Sequence, residues 1–266
     1  MANNSQEQLT RSIAGRRLNE FFSTIAGLTI FSLEFLKNVF LPPYEFGEIK
    51  KHMDELGVKT LPIVSVTGFI IGLVLAMQSQ PVMARFGAEA FLPSMVALSV
   101  VRELGPVITA LIFAGRVSSG IGAELGSMRV TEQIDAMEVS AINPFKFLVV
   151  TRVLACTIIL PVLTLYVIFL AILGGYLAIF LSKGINFELY TNSVVNSLQF
   201  SDIVPGIAKT FFFGYIVGIV GAYKGYYTEN GTVGVGRAST SSVVIASLII
   251  LVADMVLGKL TVALWS

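Results

Sequence analysis

Between Phe147 and Leu181 the chain runs for about 35 residues with a single charge, Arg152. The hydrocarbon core of a bilayer is about 30 Å thick and is crossed by roughly 20 apolar residues in a helix. Lipid admits only helices and closed barrels, because no water is present to satisfy a loose backbone. A run of this kind is therefore a membrane helix before anything else is considered. At 1.5 Å per residue it is long for one perpendicular span, yet short for two spans and a turn. Gly174-Gly175 offers a bend, but no polar turn divides the run. The expectation is one long, tilted helix.

The remainder agrees with that solvent. Charged residues make up 13% of the 266, against about 25% in a typical globular chain, and 55% are hydrophobic. Mean hydropathy is +0.80. The 18 basic and 17 acidic residues leave a net charge of +1, which excludes a broad basic surface and argues against nucleic acid as a partner. The single cysteine, Cys156, lies in an apolar run and excludes a disulfide framework or a cysteine metal site. The single histidine, His52, excludes a histidine-cluster metal centre and a catalytic triad. No G-x-x-x-x-G-K-[ST] phosphate loop occurs. Gly231-Thr-Val-Gly234-Val-Gly236 lies between two spans, where it reads as a flexible cytoplasmic turn. No residue stands out as catalytic and no metal ligand set is visible. Any work on a substrate is powered elsewhere or is passive.

The first twenty residues lack the apolar core of a signal peptide. Residues 21–40 have span-like composition but amphipathic periodicity. Phe21, Ile25, Leu28, Phe35, Leu36 and Val39 share one face, and Ser23, Glu34, Lys37 and Asn38 the other. Such a helix lies in the membrane interface more readily than across it; a short span with Glu34 turned inward is the alternative. Five spans follow: about Leu61–Met77, Phe91–Gly115, Phe147–Leu181, Ile203–Tyr223 and Ser242–Leu264. Gly68-xxx-Gly72 and Gly214-xxx-Gly218 predict close helix contact, within the chain or across a dimer. No internal repeat and no linker suggest a second domain, so one domain of 1–266 is expected, with a polar tail of 1–20 and a bundle over 61–264.

Basic residues orient the bundle. Arg11, Arg16, Arg17, Lys50, Lys51 and Lys59 precede the first span, Arg116, Arg129, Lys146 and Arg152 flank the second connection, and Lys224 and Arg237 the fourth. The other side holds little beyond Arg85, Lys183 and Lys259. The N-terminus is thus expected in the cytoplasm and the C-terminus outside.

The connection between the second and third spans, residues 115–155, is far longer than a hairpin needs. Helical periodicity over Glu124–Ala141 places Val130, Ile134, Met137 and Ala141 on an apolar stripe, with Glu124, Thr131, Asp135 and Glu138 on an acidic one. Pro144 stops it. A helix that rests on anionic lipid favours Lys and Arg on its polar face. The acidic face instead suits a basic groove on a protein.

The run RELGPVITALIFAGRVSSGIGAELGSMRVTEQIDAMEVSAINP, residues 102–144, resembles the signature of the MlaE (YrbE) family of ABC-transporter permeases, the membrane subunits of MCE-type lipid transporters. GTVGVGRASTSSVV, residues 231–244, resembles that family's second cytoplasmic connection, and the likeness extends over nearly the whole chain from about residue 20. The resemblance implies an all-α integral membrane fold: an N-terminal interfacial amphipathic helix, five transmembrane helices and a cytoplasmic coupling helix between spans 2 and 3. It implies a homodimer, a cytoplasmic ATPase dimer that carries ATP and magnesium, and a periplasmic MCE-domain assembly, with no cofactor on this chain. The implied cargo is a phospholipid or related lipid moving between inner and outer membranes. Glu124, Met128, Arg129, Thr131, Glu132, Asp135 and Glu138 are then the residues that meet the ATPase. The absence of a transit peptide favours a bacterial inner membrane over a plastid envelope.

Arg102 and Glu103 lie about 15 Å into their span. A central charge costs about 2.5–3.5 kcal/mol, so each should face protein or water. Being adjacent, they point about 100° apart and partner each other poorly. Lys209 and Asp254 are the candidate partners, and Gly105-Pro106 should loosen the helix beside them. Packing ion pairs and a headgroup-lining site or gate both fit these charges. In the resembled family, charges at the motif positions line the central cavity, which favours Arg102, Glu103 and Lys209 as substrate residues. Leu75, Gln78, Val82 and Phe86, at the outer end of the first span, are candidate contacts for acyl chains; ordinary packing is the alternative. An ion-driven secondary transporter would predict inverted repeats, and none is seen. A non-transporting scaffold accounts for the acidic helix but not for the costly membrane charges.

Overall fold

The computed structural model describes residues 22–42, 44–229 and 231–265. It divides into two units, Met1–Tyr44 and Glu45–Ser266. In the first, residues 22–39 form helix α1, in which Thr29 and Asn38 side chains donate back to the Ile25 and Glu34 carbonyls. The tail of 1–20 and Phe21, part of the expected interfacial helix, lie outside the described residues.

The second unit is a helical bundle, and five of its helices are long and apolar enough to cross a membrane. The first is α2, Phe46–Arg85, which begins about fifteen residues before the apolar run that announced it. Its charged early turns are held by Glu48–Lys51 and Glu55–Lys59 pairs, which support a helix in water without contributing hydropathy.

The second span, Glu89–Val130, is continuous but not uniform. A short 3₁₀ turn at Glu89–Phe91 leads into α3 (Leu92–Ser99), a π turn at Val100–Leu104, α4 (Gly105–Phe113), a π turn at Ala114–Ser118, and α5 (Ser119–Val130). The first π turn has a local cause. Pro106 has no N–H for the Arg102 carbonyl, and the ladder re-registers so that the Gly105 N–H donates five residues back to Val100.

The third span joins a π turn at Phe145–Val150 to α7, Thr151–Lys183. It is one helix, undivided at Gly174-Gly175. These glycines serve packing instead. A Cβ on Gly174 would collide with the Phe69 carbonyl of α2, and one on Gly72 with the Ala171 carbonyl of α7. The two backbones therefore lie against each other, each notched where the other approaches. Gly214 and Gly218 likewise fit against Cys156 and Val153 of α7. Both small-xxx-small pairs are thus used within the chain.

Gly184, at φ +67°, ends α7 with its N–H on the Phe180 carbonyl, 2.8 Å away. Helix α8, Phe187–Ser197, was not foreseen. Its Tyr190 is buried and donates to the Ile172 carbonyl at 2.9 Å. Burial pushes that phenol up to about 12, so it remains a donor at neutral pH. Helix α9, Phe200–Tyr226, opens with a capping box between Gln199 and Asp202.

Helix α10, Gly231–Trp265, includes the whole glycine-rich segment that was expected to be a turn. The missing side chain of Gly234 is what admits the Glu229 carbonyl and the Thr228 methyl group. Only 11% of the apolar window of α10 is buried, against 28–50% in the other four spans. Val244, Leu248, Val252 and Met255 form an exposed apolar face on it.

The expected single helix over Glu124–Ala141 is also corrected. α5 ends at Val130, Glu132 takes a left-handed conformation at φ 59°, and a separate short helix, α6, spans Gln133–Val139. Periodicity did not reveal the break because Ile134 still points inward and is fully buried.

Candidate functional site: charges within the bundle

Three spans bring five charges together. Arg102 and Glu103 sit on the first π turn, Asp202 and Lys209 on α9, and Asp254 on α10. Adjacent on the helix, Arg102 and Glu103 point to different partners. Lys209 donates to Glu103 Oε2 at 2.6 Å and to Asp254 Oδ1 at 2.8 Å. Arg102 donates through Nε to Asp202 Oδ1 at 2.8 Å, and its Nη2 reaches the same oxygen.

Burial separates their roles. Lys209 and Asp202 are each 5% exposed, whereas the Arg102 and Glu103 side chains are 58% and 52% exposed. The ammonium could not remain at that depth alone; two carboxylates hold it. Asp202 is anchored twice, since its Oδ2 also accepts the Gln199 N–H at 3.0 Å. Gly206 brings α9 hard against the π turn, where an added Cβ would lie 2.5 Å from the Val101 carbonyl. Gly258, one turn beyond Asp254, leaves space beside the Glu103 carboxylate. Two cations thus face three carboxylates, with the buried members fixing the geometry and the exposed ones turned outward.

Both partners expected for the pair on span 2, Lys209 and Asp254, are present in one triad: Lys209 pairs with Glu103 and with Asp254, while Arg102 takes Asp202. Asp202 was missed. Its only sequence signal was a carboxylate three residues after Gln199 at the mouth of a span, which reads as a helix cap, and it is one. The four acyl-chain candidates on α2 are not gathered into an enclosure. Leu75 packs against the buried cluster that includes Ala76, Val96 and Ala171, while Gln78, Val82 and Phe86 are exposed, Phe86 at 79%.

A second set of charges lies where α5 leaves the bundle. Glu124 accepts from Arg152 Nη2 at 2.7 Å, and Asp135 accepts from Arg129 Nη1 at 2.6 Å. Thr131, Glu132 and Glu138 are exposed and Met128 is half-buried. The acidic stripe is therefore divided. Glu124 belongs to the bundle, while Glu132 and Glu138 face outward on or beside α6. Among the described residues no group of three His, Cys, Asp or Glu side chains is placed to hold a metal ion.

The family model described as Permease MlaE matches residues 49–260. A "Probable ABC transporter permease protein" of Rickettsia bellii is 39% identical over 92% of this chain and 95% of its own length. The "Intermembrane phospholipid transport system permease protein MlaE" of Haemophilus influenzae is 36% identical, again over 92% and 95%. "Protein TRIGALACTOSYLDIACYLGLYCEROL 1, chloroplastic" of Arabidopsis thaliana is 33% identical over 79% of this chain and 60% of its own. With a family model covering most of the bundle and relatives aligned nearly end to end, this multi-pass helical membrane protein belongs to the MlaE permease family.

Proposed function

We propose that this chain is the permease subunit of an ATP-driven transporter that moves phospholipid between the inner and outer membranes of a bacterium. The observation that carries the reading is the charge cluster: an outward-facing arginine and carboxylate fixed at membrane depth by buried partners. The name of the Haemophilus relative supplies the cargo class. Arg102 spends Nε and Nη2 on Asp202, which leaves Nη1 for a headgroup phosphate. Glu103 and Lys209 complete the polar lining, and Leu75, Gln78, Val82 and Phe86 offer apolar surface for acyl chains. The chain works as a homodimer, and the exposed face of α10 supplies apolar surface for the second copy or for lipid. No residue here is catalytic, and this chain holds no cofactor. ATP and magnesium belong to a separate ATPase dimer, and an MCE-domain assembly continues the path on the periplasmic side. The basic ends of α2, α5 and α9 support a cytoplasmic N-terminus and a periplasmic C-terminus.

In this reading the ATPase meets α6 and the end of α5, through Met128, Arg129, Thr131, Glu132, Asp135 and Glu138. Glu124 stands behind that contact, holding Arg152. The residue to test is therefore Glu138, which is exposed and makes no ion pair among the described residues. Glu138→Lys is expected to lower ATPase co-purification at least tenfold, about 1.4 kcal/mol, because like charges meeting across an interface cost several times that. An unchanged yield would remove α6 from the contact. A wild-type chain that retains no ATPase under any condition would end the ABC reading itself. Glu124→Lys would be a poor substitute, since it sets a cation against the buried Arg152.

A further inference from the structure

At the other end of the bundle, a cavity of about 220 Å³ opens between the early turns of α2, the second π turn with α5, and the start of α7. A single water needs only roughly 10–15 Å³, so the space takes a larger guest. Lys59, Arg116 and Arg152 line it with Glu55, Glu124 and His52. Along span 2, Arg116 lies fourteen residues from Arg102, about 21 Å of helix, so this is not the cluster already described.

The cations are not evenly matched. Glu55 is taken by Lys59 and Glu124 by Arg152. Arg116 forms no ion pair among the described residues; its Nη1 donates only to Thr60 Oγ1, at 3.0 Å. The Arg152 side chain is 6% exposed. Its Nη1 donates to the Leu148 carbonyl at 2.9 Å and its Nη2 to Glu124, but its Nε–H has no partner. A buried charged donor left unpaired is costly. The same side chain lines a cavity that also holds the Arg116 guanidinium, which has no carboxylate partner among the described residues.

The geometry points to a binding site for a phosphate-bearing anion, held by Arg116, which has no carboxylate partner among the described residues, with the buried Arg152 charge beside it. The Arg116 guanidinium keeps donors beyond the one spent on Thr60, and phosphate oxygens have the lone pairs to accept several of them together. Leu56, Val117 and Ile121 give the cavity an apolar wall, which suits either an organic phosphate from solution or a phospholipid headgroup with its first carbons. This site stands apart from the transport reading, because it rests on this cavity alone and is read by binding without any ATPase.

The test uses the purified full-length chain, with two probes and two variants. Inorganic phosphate is titrated against the protein in neutral detergent, with thermal unfolding as the readout and chloride of equal ionic strength as the reference. Separately, the chain is placed in phosphatidylcholine nanodiscs with or without phosphatidylglycerol, and retained lipid is counted by native mass spectrometry. Arg116→Gln removes the unmatched charge. Gly120→Glu adds a carboxylate at the cavity wall, where a Cβ meets nothing within 4 Å, and so covers the case in which Arg116→Gln does not fold. Both variants are expected to weaken binding about tenfold or more while Arg102 is untouched. Phosphate stabilising the wild type alone supports a soluble anion, and phosphatidylglycerol retained by the wild type alone supports a headgroup. Equal behaviour of wild type and both variants toward both probes overturns the proposal.

Discussion

Lys209→Met is expected to abolish phospholipid transfer by the reconstituted transporter and to lower the unfolding temperature of the chain. Methionine nearly fills the space of lysine but leaves Glu103 and Asp254 facing each other with no cation between them. Removing one partner of a buried pair costs about 3–5 kcal/mol, because the other charge is stranded. Glu103 is half exposed and partly screened, so the lower end, about 3 kcal/mol of stability, applies. The triad sharpens the test further. Exchanging charges through Glu103→Lys with Lys209→Glu would re-form that pair, yet it sets the new carboxylate at position 209 against Asp254. The double exchange is therefore expected to restore little, and the triple variant with Asp254→Asn to restore most. Full rescue by the double exchange would show that Asp254 is not a working partner. Undiminished transfer in Lys209→Met would dismiss the cluster from transport altogether.

Gly72→Ala is expected to damage the fold more than any other single-methyl change in α2. The added methyl would occupy the position of the Ala171 carbonyl, which belongs to a helix backbone and cannot rotate aside. α2 and α7 would have to part along the seam where Gly174 receives the Phe69 carbonyl. Overpacking usually costs 1–3 kcal/mol, and about 3 kcal/mol or more is expected here because both neighbours are backbone. Gly236→Ala is the matched control. It lies within α10 with nothing inside 4 Å of an added Cβ, so higher helix propensity should raise stability by up to about 1 kcal/mol. Thermal unfolding and the yield of monodisperse protein in detergent measure both. Equal midpoints for the two variants would mean that the α2–α7 seam is looser than described.

The membrane character, the five spans and the undivided third span were legible because hydropathy is a property of composition over a window. So was the need of Arg102 and Glu103 for partners in α9 and α10, since isolated charges are too costly in lipid. What escaped shares a different cause. The charged early turns of α2 are helical through pairing and carry no apolar signal. Gly231–Gly236 reads as a turn by local preference, yet it is helical, with Gly234 admitting the Glu229 carbonyl of the segment just before it. The break at Glu132 leaves Ile134 on the inner side, so a periodic pattern passes across it unmarked. Asp202 was hidden because one carboxylate serves two tasks, as a helix cap and as the anchor of Arg102. The candidates at the outer end of α2 had no charge to demand a partner, and apolarity alone could not say which side they would face.

The two π turns of span 2 also set its rotational phase. Each inserts one residue relative to an unbroken α-helix, which slips the following segment by about 100°. α5 therefore presents to its neighbours a face rotated by about 200° from the one that α3 would project by extrapolation. The span's three sections are separately indexed, like lengths of a shaft joined by two couplings. Arg102 and Glu103 sit on one coupling and Arg116 on the other, so the charges in the middle of this span fall where one section is re-indexed against the next.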